Sequence, residues 1–363
     1  MSDSFNAEQY ALIIKCSLEK DFSEWNDYID NHKGNIRLEN ACFKNIELTD
    51  VRFTREGGIG VVLSGACFEN AKLTRVDFSG CNLIGSNFNN SEISNSFFND
   101  ASICRSEIKN ATLYNVDFPE TNFDGSNLEN TEFNQCYFYE SKFYRTNLKG
   151  AKFRNFGYNP LIRKEIKTIL CGAIFKDAIF DNNTYFGSSL VSKETDFRAI
   201  SFESAHYAAG LKQTFQYCNR RHNWNDWYRQ NKLPAPFVRF FWWHTDYGYS
   251  IKQLIKSLSI TIAFFSIAYT LFPSLVHGLS PFNPIQSMYF SFSTMTTLGF
   301  GDMYASHDSI ISQLLIISQV CYGYILLGSL ITILSNLFYS DGPPQGLIKH
   351  PKRKNFKITF TFK

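Results

Sequence analysis

Large apolar residues recur at every fifth position over much of the first half of the chain. Stepping by five from Leu38 to Phe153 visits 24 positions, and all except Gly58 are Leu, Ile or Phe. Two residues before them, 21 of the 24 positions hold Ala, Ser, Thr, Cys or Val. A period of five fits neither an α-helix nor a β-strand, so the large side chain must point inward once on each flat side of a coil. Four sides give a square turn of about 20 residues, and six stacked turns rise about 29 Å at the inter-strand spacing.

The five-residue units, such as ATLYN at 111–115 and SNLEN at 126–130, resemble those of the pentapeptide-repeat family. The resemblance implies a right-handed quadrilateral β-helix over residues 36–207 with an insertion at 158–172. After the insertion the predicted inward positions are Phe175, Phe180, Tyr185, Phe197, Phe202 and Tyr207. Because an open coil end exposes its apolar axis, we interpret residues 1–35, with one helix over 7–31, as an N-terminal cap.

After the repeats the pattern becomes helical and then continuously apolar. Residues 203–232 predict a connector helix that ends at Pro234 and Pro236, because proline interrupts helices. The following aromatic cluster, 237–249, is typical of a membrane interface, and an aromatic core patch is the alternative. We assign residues 208–250 to the connector and this interfacial segment.

Two later segments are long and apolar enough to cross a bilayer as helices, 254–272 and 310–337. We assign residues 251–340 to a transmembrane pore domain and 341–363 to a basic cytoplasmic tail. The connecting residues 273–309 contain no Lys or Arg, whereas basic residues flank both spans. The positive-inside rule then places both termini in the cytosol.

Charge and cysteine usage agree with this placement. Residues 1–210 hold 22 basic against 28 acidic residues, and residues 211–363 hold 14 against 5. The basic second part favours contact with anionic lipid over nucleic acid. The nine cysteines are scattered without a CxxC pair, as expected of reduced thiols, and the N-terminus lacks a signal-peptide pattern. We therefore expect a multi-pass protein of a bacterial cytoplasmic membrane.

The connecting segment contains a short apolar helix, IQSMYFSFSTM, followed directly by TTLGFGDM. A re-entrant segment at membrane depth must be covered by protein or line a water-filled path. This segment resembles the K⁺-channel signature T-x-x-T-x-G-(Y/F)-G-D. The matching residues are Thr294, Thr297, Gly299, Phe300, Gly301 and Asp302.

The resemblance implies an all-α pore domain with two transmembrane helices, a re-entrant pore helix and a selectivity filter, assembled as a homotetramer. It implies that backbone oxygens replace the water of a permeant K⁺ and assigns the filter to Thr297, Leu298, Gly299, Phe300 and Gly301. Thr294, Thr296 and Asp302 would support it. Leu298 replaces the commoner Val and Phe300 the commoner Tyr, so the degree of selectivity for K⁺ over Na⁺ stays open.

Two glycines of the second span, Gly323 and Gly328, are candidate gate hinges; close helix packing is the alternative role of such residues. No span carries arginine at three-residue steps, so a voltage sensor is not expected. The seven histidines show no ligand spacing, and no nucleotide-binding or nucleophile motif occurs. We therefore expect neither an enzyme nor a cofactor other than the permeant K⁺.

The sequence thus predicts a homotetrameric K⁺ channel whose cytosolic repeat domain binds an unknown partner or regulates gating. A weakly selective cation channel of the same fold is one alternative. Another is a membrane-anchored pentapeptide-repeat scaffold or binding module without conduction. Some proteins of the pentapeptide-repeat family resemble DNA in shape and charge and bind topoisomerases. That resemblance requires a strongly acidic solenoid, whereas the net charge of −6 over residues 1–210 is mild.

Overall fold

The computed structural model describes residues 5–338 apart from 56, 155–157, 160–163, 166, 300 and 308, together with 342 and 347. For residues 158, 159, 164 and 165 it describes the backbone alone. The chain divides into two compact units, with the division between Asn223 and Trp224. The predicted tail, 341–363, lies almost entirely outside the described residues.

The first unit is a solenoid of short parallel strands. Within the described residues, its strands are β1 (Glu47–Thr49), β2 (Lys72–Thr74), β3 (Glu92–Ser94), β4 (Thr112–Tyr114), β5 (Glu132–Asn134), β6 (Lys152–Arg154), β7 (Tyr158–Asn159), β8 (Lys164–Glu165), β9 (Thr168–Ile169), β10 (Tyr185–Phe186), β11 (Ser189–Leu190) and β12 (His206–Tyr207). Eight of these strands form the main sheet, in the order β1-β2-β3-β4-β5-β6-β10-β12. The remaining strands form two pairs, β9 with β11, which is parallel, and β7 with β8, which is antiparallel.

The corners between the sides of the coil have left-handed backbone. Every fifth residue from Gly65 to Gly150 has a positive φ. Asparagine, aspartate and glycine adopt this conformation at the lowest cost, and they occupy most of these corners. The corner residue lies two positions after each large apolar residue, so the five-residue period places both the inward side chain and the bend.

The large residues form stacked columns inside the coil. Phe78, Phe98 and Phe118 stack in one column with successive ring centroids 4.9 and 5.0 Å apart. The small residues two positions before the large ones are buried, and where they are Ser or Thr their hydroxyl groups can connect neighbouring coils. The Thr121 hydroxyl donates to the Phe98 carbonyl at 2.6 Å. The small residue therefore satisfies a backbone acceptor in addition to fitting a narrow space.

The first coil is longer than predicted. Leu48 pairs with Leu73, 25 residues later, whereas Leu73 pairs with Ile93 after 20 residues. An antiparallel bridge joins Thr54 and Gly60, and the additional length of the chain lies between these two residues. Gly58, the exception in the apolar series, belongs to this segment and not to the wall.

The insertion and the register after it also differ from prediction. The predicted insertion, 158–172, is too long at its C-terminal end, because Ile169 already pairs with Tyr137 of the preceding coil. Further on, the inward residue is Phe186, while the predicted Tyr185 is 37% exposed. The shift of one residue arises in the turn at Asp181, whose carboxylate accepts the backbone N–H of residues 183 and 184.

Helices cap both ends of the solenoid. The predicted helix over 7–31 is two helices, α1 (Ala7–Glu19) and α2 (Ser23–Asn31), because Lys20 has a left-handed backbone. The Trp25 indole N–H donates to the Arg52 carbonyl at 2.8 Å, which attaches α2 to the coil. Leu18, near the end of α1, is 82% exposed.

At the other end the cap is α3 (Leu211–Gln230), which begins later than the predicted connector helix. The Phe215 ring stacks on Phe197 at 3.9 Å and meets the edge of Phe186 at 5.3 Å. The connector helix therefore also closes the apolar axis of the solenoid. A 3-10 helix, Phe202–Ser204, precedes it.

In the part of the second unit that the structure describes, the complete α-helices are α4 (Ala235–Trp243), α5 (Ile251–Leu271), α6 (Pro284–Met295) and α7 (Ile310–Phe338). Within the described residues, α5 and α7 are the helices long and apolar enough to cross a membrane. A 3-10 helix, Pro273–Leu275, leads into β13 (Val276–His277), which pairs antiparallel with β14 (Tyr304–Ala305).

The prolines predicted to end the connector helix have another role. Helix α3 already ends at Gln230, and Pro234 and Pro236 lie at the start of α4. The first turn of a helix tolerates proline because its N–H groups have no partner within the helix. The aromatic segment after them is therefore largely helical.

The stability of the solenoid should depend on pH through Asp117, which forms parallel β-bridges with Phe97 and Tyr137 of the neighbouring coils. Burial raises the pKa of Asp117 to about 6. Above that pH the charged carboxylate destabilises the fold, and protonation relieves the cost as the pH falls. We expect Asp117→Asn to raise the thermal unfolding midpoint of the full-length protein at about pH 8 by roughly 2–4 °C.

The gain should shrink as the pH is lowered from about 6 towards 4, because the carboxyl then becomes neutral in both states. Asp100→Asn, at an exposed corner, is the matched control and should change the midpoint little. A gain for Asp117→Asn that does not depend on pH would contradict this explanation.

Candidate functional site

The candidate site begins with α6, whose ends are set by local sequence. The Asn283 side chain caps the helix by accepting the Gln286 backbone N–H at 3.1 Å, and Pro284 occupies its first turn, as proline favours. One face of α6, which includes Phe290, is buried against α5. At its C-terminal end, Met295 packs with Leu254 and Leu326. The short predicted helix is therefore present and is held between the two long helices.

The strip Thr297–Gly301 begins two residues after the end of α6 and includes residues with a left-handed backbone. Thr297, Gly299 and Gly301 have φ values of 59°, 39° and 80°. The Thr297 N–H donates to the Thr294 carbonyl at 3.2 Å, and the Leu298 N–H donates to the Ser293 carbonyl at 3.0 Å. Both bonds tie the start of the strip to the last turn of α6. Phe300, the remaining predicted filter residue, lies outside the described residues.

The carbonyl oxygens at the start of the strip have no hydrogen-bond partner among the described residues. No donor there reaches those of Thr297, Leu298 or Gly299. These three residues are exposed, with Leu298 at 58%. A run of unpaired carbonyls is available to bind a cation, water or another chain.

The predicted supporting residues lie around the strip. The Thr296 hydroxyl donates to the Phe292 carbonyl at 2.9 Å, and the Thr297 hydroxyl donates to the Thr296 carbonyl at 2.7 Å. Thr294 accepts from the strip through its carbonyl, as described above. Asp302 is exposed just after the strip. Its carbonyl oxygen would lie 2.8 Å from a methyl group at Gly278, so the two backbones are close.

The two candidate hinge glycines have different environments. A methyl group at Gly323 would lie 2.3 Å from the Met295 carbonyl oxygen, whereas one at Gly328 would meet no atom within 4 Å. Helix α7 is continuous through both positions. Gly323 thus allows the backbone of α7 to approach the end of α6 directly, and a hinge at either glycine stays a prediction.

A buried polar group that the sequence analysis missed is Gln319 of α7. Gln319, Tyr269 and Ser291 form a hydrogen-bonded network that joins α7, α5 and α6. The signal for it was a glutamine inside an apolar span, because polar side chains there usually have a specific partner. Its contact with Ser291 of α6 could be identified only from the folded structure.

His244, one of the seven histidines without ligand spacing, makes a specific polar contact. The Tyr322 hydroxyl of α7 lies 3.0 Å from Nδ1 of His244. Burial lowers the pKa of His244, which favours the neutral ring. The residue just after α4 is therefore hydrogen-bonded to α7 beside Gly323. Within the described residues, no group of His, Cys, Asp or Glu is placed to hold a metal ion.

Comparison with protein families assigns both parts of the chain. Residues 256–340 match a family described as ion channel, and residues 59–80, 81–118 and 120–155 match pentapeptide repeats in eight copies. The chain thus combines an ion channel domain with a pentapeptide-repeat solenoid. The predicted fold class, a repeat solenoid followed by a helical region with two apolar helices, is confirmed.

Solved structures similar to this chain are pentapeptide-repeat proteins. HetL, involved in heterocyst differentiation regulation in the cyanobacterium Nostoc, is 17% identical, with a TM-score of 0.35 over 50% of this chain and 71% of that chain. QnrB1, a plasmid-mediated fluoroquinolone resistance protein, is 16% identical, with a TM-score of 0.35 over 44% and 77%. A protein of the Arabidopsis thaliana thylakoid lumen is 22% identical, with a TM-score of 0.25 over 31% and 72%. No curated protein matches the chain.

The close contact at Gly323 gives a testable difference between the two glycines. Gly323→Ala places a methyl group against the Met295 carbonyl, and such overpacking costs about 1–3 kcal/mol. We expect a lower thermal unfolding midpoint for this variant in detergent. Gly328→Ala meets open space and should keep or slightly raise the midpoint, because alanine is the better helix former. Equal midpoints for the two variants would contradict the packing role of Gly323.

Proposed function

We propose that this protein is a homotetrameric K⁺ channel with two membrane-spanning helices per subunit. The observation that carries the proposal is the run of carbonyl oxygens at Thr297, Leu298 and Gly299, which no donor from the described residues reaches, placed after a short helix between α5 and α7. Rings of such oxygens replace the water shell of a dehydrated cation. Within this proposal, Phe300 and Gly301 complete the filter, and Thr294, Thr296 and Asp302 support it.

Assembly of four copies is supported by the surface of one chain. Leu298 is exposed, and so are Met288, Tyr289 and Phe292 on α6. Within a membrane, an apolar surface is covered by lipid or by protein, whereas polar backbone groups require protein or water as partners. Four copies around one axis would cover the outer side of the strip and direct its carbonyls towards that axis.

The end of α6 also favours a cation. The last carbonyl groups of a helix carry partial negative charge, and α6 ends at Met295, two residues before the strip. In a tetramer, four such ends would converge near the inner end of the filter. We place both termini in the cytosol of a bacterium and the filter towards the outside, on the distribution of basic residues.

The repeat domain has a route by which it could regulate the pore. Helix α3, which caps the solenoid through Phe215, ends with residues of the second unit. There Trp224 packs on Trp242 of α4 at 5.5 Å, and His244, just after α4, contacts Tyr322 of α7. A cytosolic partner bound to the solenoid would act on α7 through these contacts.

Flux through the purified protein in liposomes tests conduction. Wild-type protein should carry K⁺, and Gly299→Ala should reduce the flux at least about tenfold, because a left-handed alanine costs about 1–2 kcal/mol in each subunit. Gly85→Ala is the matched control, since Gly85 has a left-handed backbone with open space around it but lies in the solenoid. It should conduct as wild type.

Reversal potentials in opposing K⁺ and Na⁺ gradients separate the remaining possibilities. A K⁺ channel gives a reversal potential close to that of K⁺, and a weakly selective cation channel gives a value near zero. A membrane-anchored scaffold carries no current in either gradient and tolerates Gly299→Ala. The last two outcomes would each overturn part of the proposal.

Cleavage of the chain between α3 and α4 tests the regulatory route. The exposed residues Lys232 and Leu233 lie in this connection. A protease site introduced there should leave the reversal potential unchanged and alter the open probability when the solenoid is released. Unchanged open probability after complete cleavage would contradict regulation through α3.

A further inference from the structure

We propose that Gln319 is a positioning residue that fixes the last turn of α6 and thereby the strip Thr297–Gly301. The inference rests on the proposed function, because it assigns to Gln319 a part in ion selectivity. It concerns a side chain of α7 that does not belong to the strip.

Gln319 is fully buried within the single chain, as are Tyr269 and Ser291. A buried amide costs free energy unless its polar atoms are paired. Here the Tyr269 hydroxyl donates to Gln319 Oε1 at 2.6 Å. Gln319 Nε2 donates to the Ser291 carbonyl at 3.0 Å and to the Ser291 hydroxyl oxygen at 2.9 Å. Both ends of the amide are therefore paired, on two different helices.

The partners determine which way the amide points. The Ser291 carbonyl can only accept, so the nitrogen of Gln319 must face it. The oxygen of Gln319 then faces Tyr269, whose hydroxyl is a donor. The Ser291 hydroxyl donates onward to the Ile262 carbonyl of α5 at 3.1 Å. Gln319 thus has one orientation in which every partner is satisfied, and α5 holds it from two sides.

The contact falls where a displacement would affect the strip. In an α-helix the Ser291 carbonyl also accepts the backbone N–H of residue 295, and Met295 is the residue against which Gly323 packs. Gln319 and Gly323 are four residues apart and so lie on one face of α7. Helix α7 therefore contacts two successive turns of α6, one through a hydrogen bond and one through backbone contact.

The last turn of α6 in turn positions the strip. The Ser293 carbonyl accepts the Leu298 N–H, and the Thr294 carbonyl accepts the Thr297 N–H. Because these bonds orient the first carbonyls of the strip, a small movement of the turn moves the oxygens proposed to bind the ion. Sites of this kind depend on partners behind the residues that make the contact.

Gln319→Met tests the proposal because it keeps the length and approximate volume of the side chain but removes its donor and acceptor. Gln313→Met is the matched control. Gln313 is an exposed glutamine of the same helix, and its side chain donates to the His307 carbonyl at 3.2 Å. The third variant is the double substitution Tyr269→Phe with Gln319→Met. Removing both partners with little change of shape leaves no unpaired polar group between them.

The double variant separates positioning from stability. Gln319→Met alone leaves the Tyr269 hydroxyl unpaired, and it should lower the thermal unfolding midpoint. The double variant should recover most of that midpoint. If Gln319 positions the strip, the double variant still lacks the bond to Ser291 and keeps the defect in the strip.

Two readouts measure that defect on the full-length tetramer. Hydrogen exchange of peptides covering 293–299 should be faster in Gln319→Met and in the double variant, and unchanged in Gln313→Met. The K⁺ to Na⁺ permeability ratio should fall about tenfold in the same two variants, a factor that corresponds to the loss of one or two hydrogen bonds. Recovery of both readouts with the midpoint in the double variant would reduce Gln319 to a structural residue and overturn the proposal.

The exchange measurement decides the inference independently of the proposed function. Faster exchange confined to 293–299 supports positioning by Gln319 even when the wild-type protein conducts K⁺ and Na⁺ equally. In that case only the K⁺-selective function fails. A wild-type protein that is selective for K⁺, with normal exchange and selectivity in Gln319→Met, overturns the inference and leaves the function intact.

Discussion

The contact between α7 and the last turn of α6 is the constraint on which the second unit depends. Gly323 brings two backbones to a distance that admits no side chain, and the Ser291 carbonyl is hydrogen-bonded across the same interface. Interfaces of this kind are favoured in lipid, where burial of apolar surface against a neighbour adds little and close packing decides association. The short helix is too short to be stable by itself. Contacts with the neighbouring helices therefore hold α6 in place, and through α6 they also position the strip that follows it.

The solenoid reaches rigidity by a different route. Its strands are two or three residues long, and their stability comes from repetition, since each coil pairs with the next and each ring stacks on an identical neighbour. Such a stack has two unsatisfied ends, and this chain closes them with different elements. Trp25 attaches the first cap by a side-chain hydrogen bond, while Phe215 closes the other end with a ring. Only the second cap continues into the membrane-associated unit.

The sequence predicted those features that follow from a period or from composition. The five-residue series fixed the inward residues over most of the solenoid, and the apolar runs located α5 and α7 to within a few residues. It failed where one residue changes the register, as at Lys20 and Asp181, because a left-handed residue or a side-chain cap leaves the apolar pattern almost unaltered. It also missed Gln319, since no local pattern indicates which residue of another helix a buried amide will meet. The positions of Thr297 and Gly299 after the short helix were predictable, whereas only the structure shows that no donor from the described residues reaches their carbonyls.

The additional length of the first coil shows how this type of rod absorbs an insertion. Residues between Thr54 and Gly60 leave the wall, and the coils before and after them still pair in register. Duplication or deletion of one whole coil would likewise leave the other coils paired in register. A single additional five-residue repeat can be accommodated outside the wall. The length of the solenoid can therefore change by whole coils without any change to its two caps.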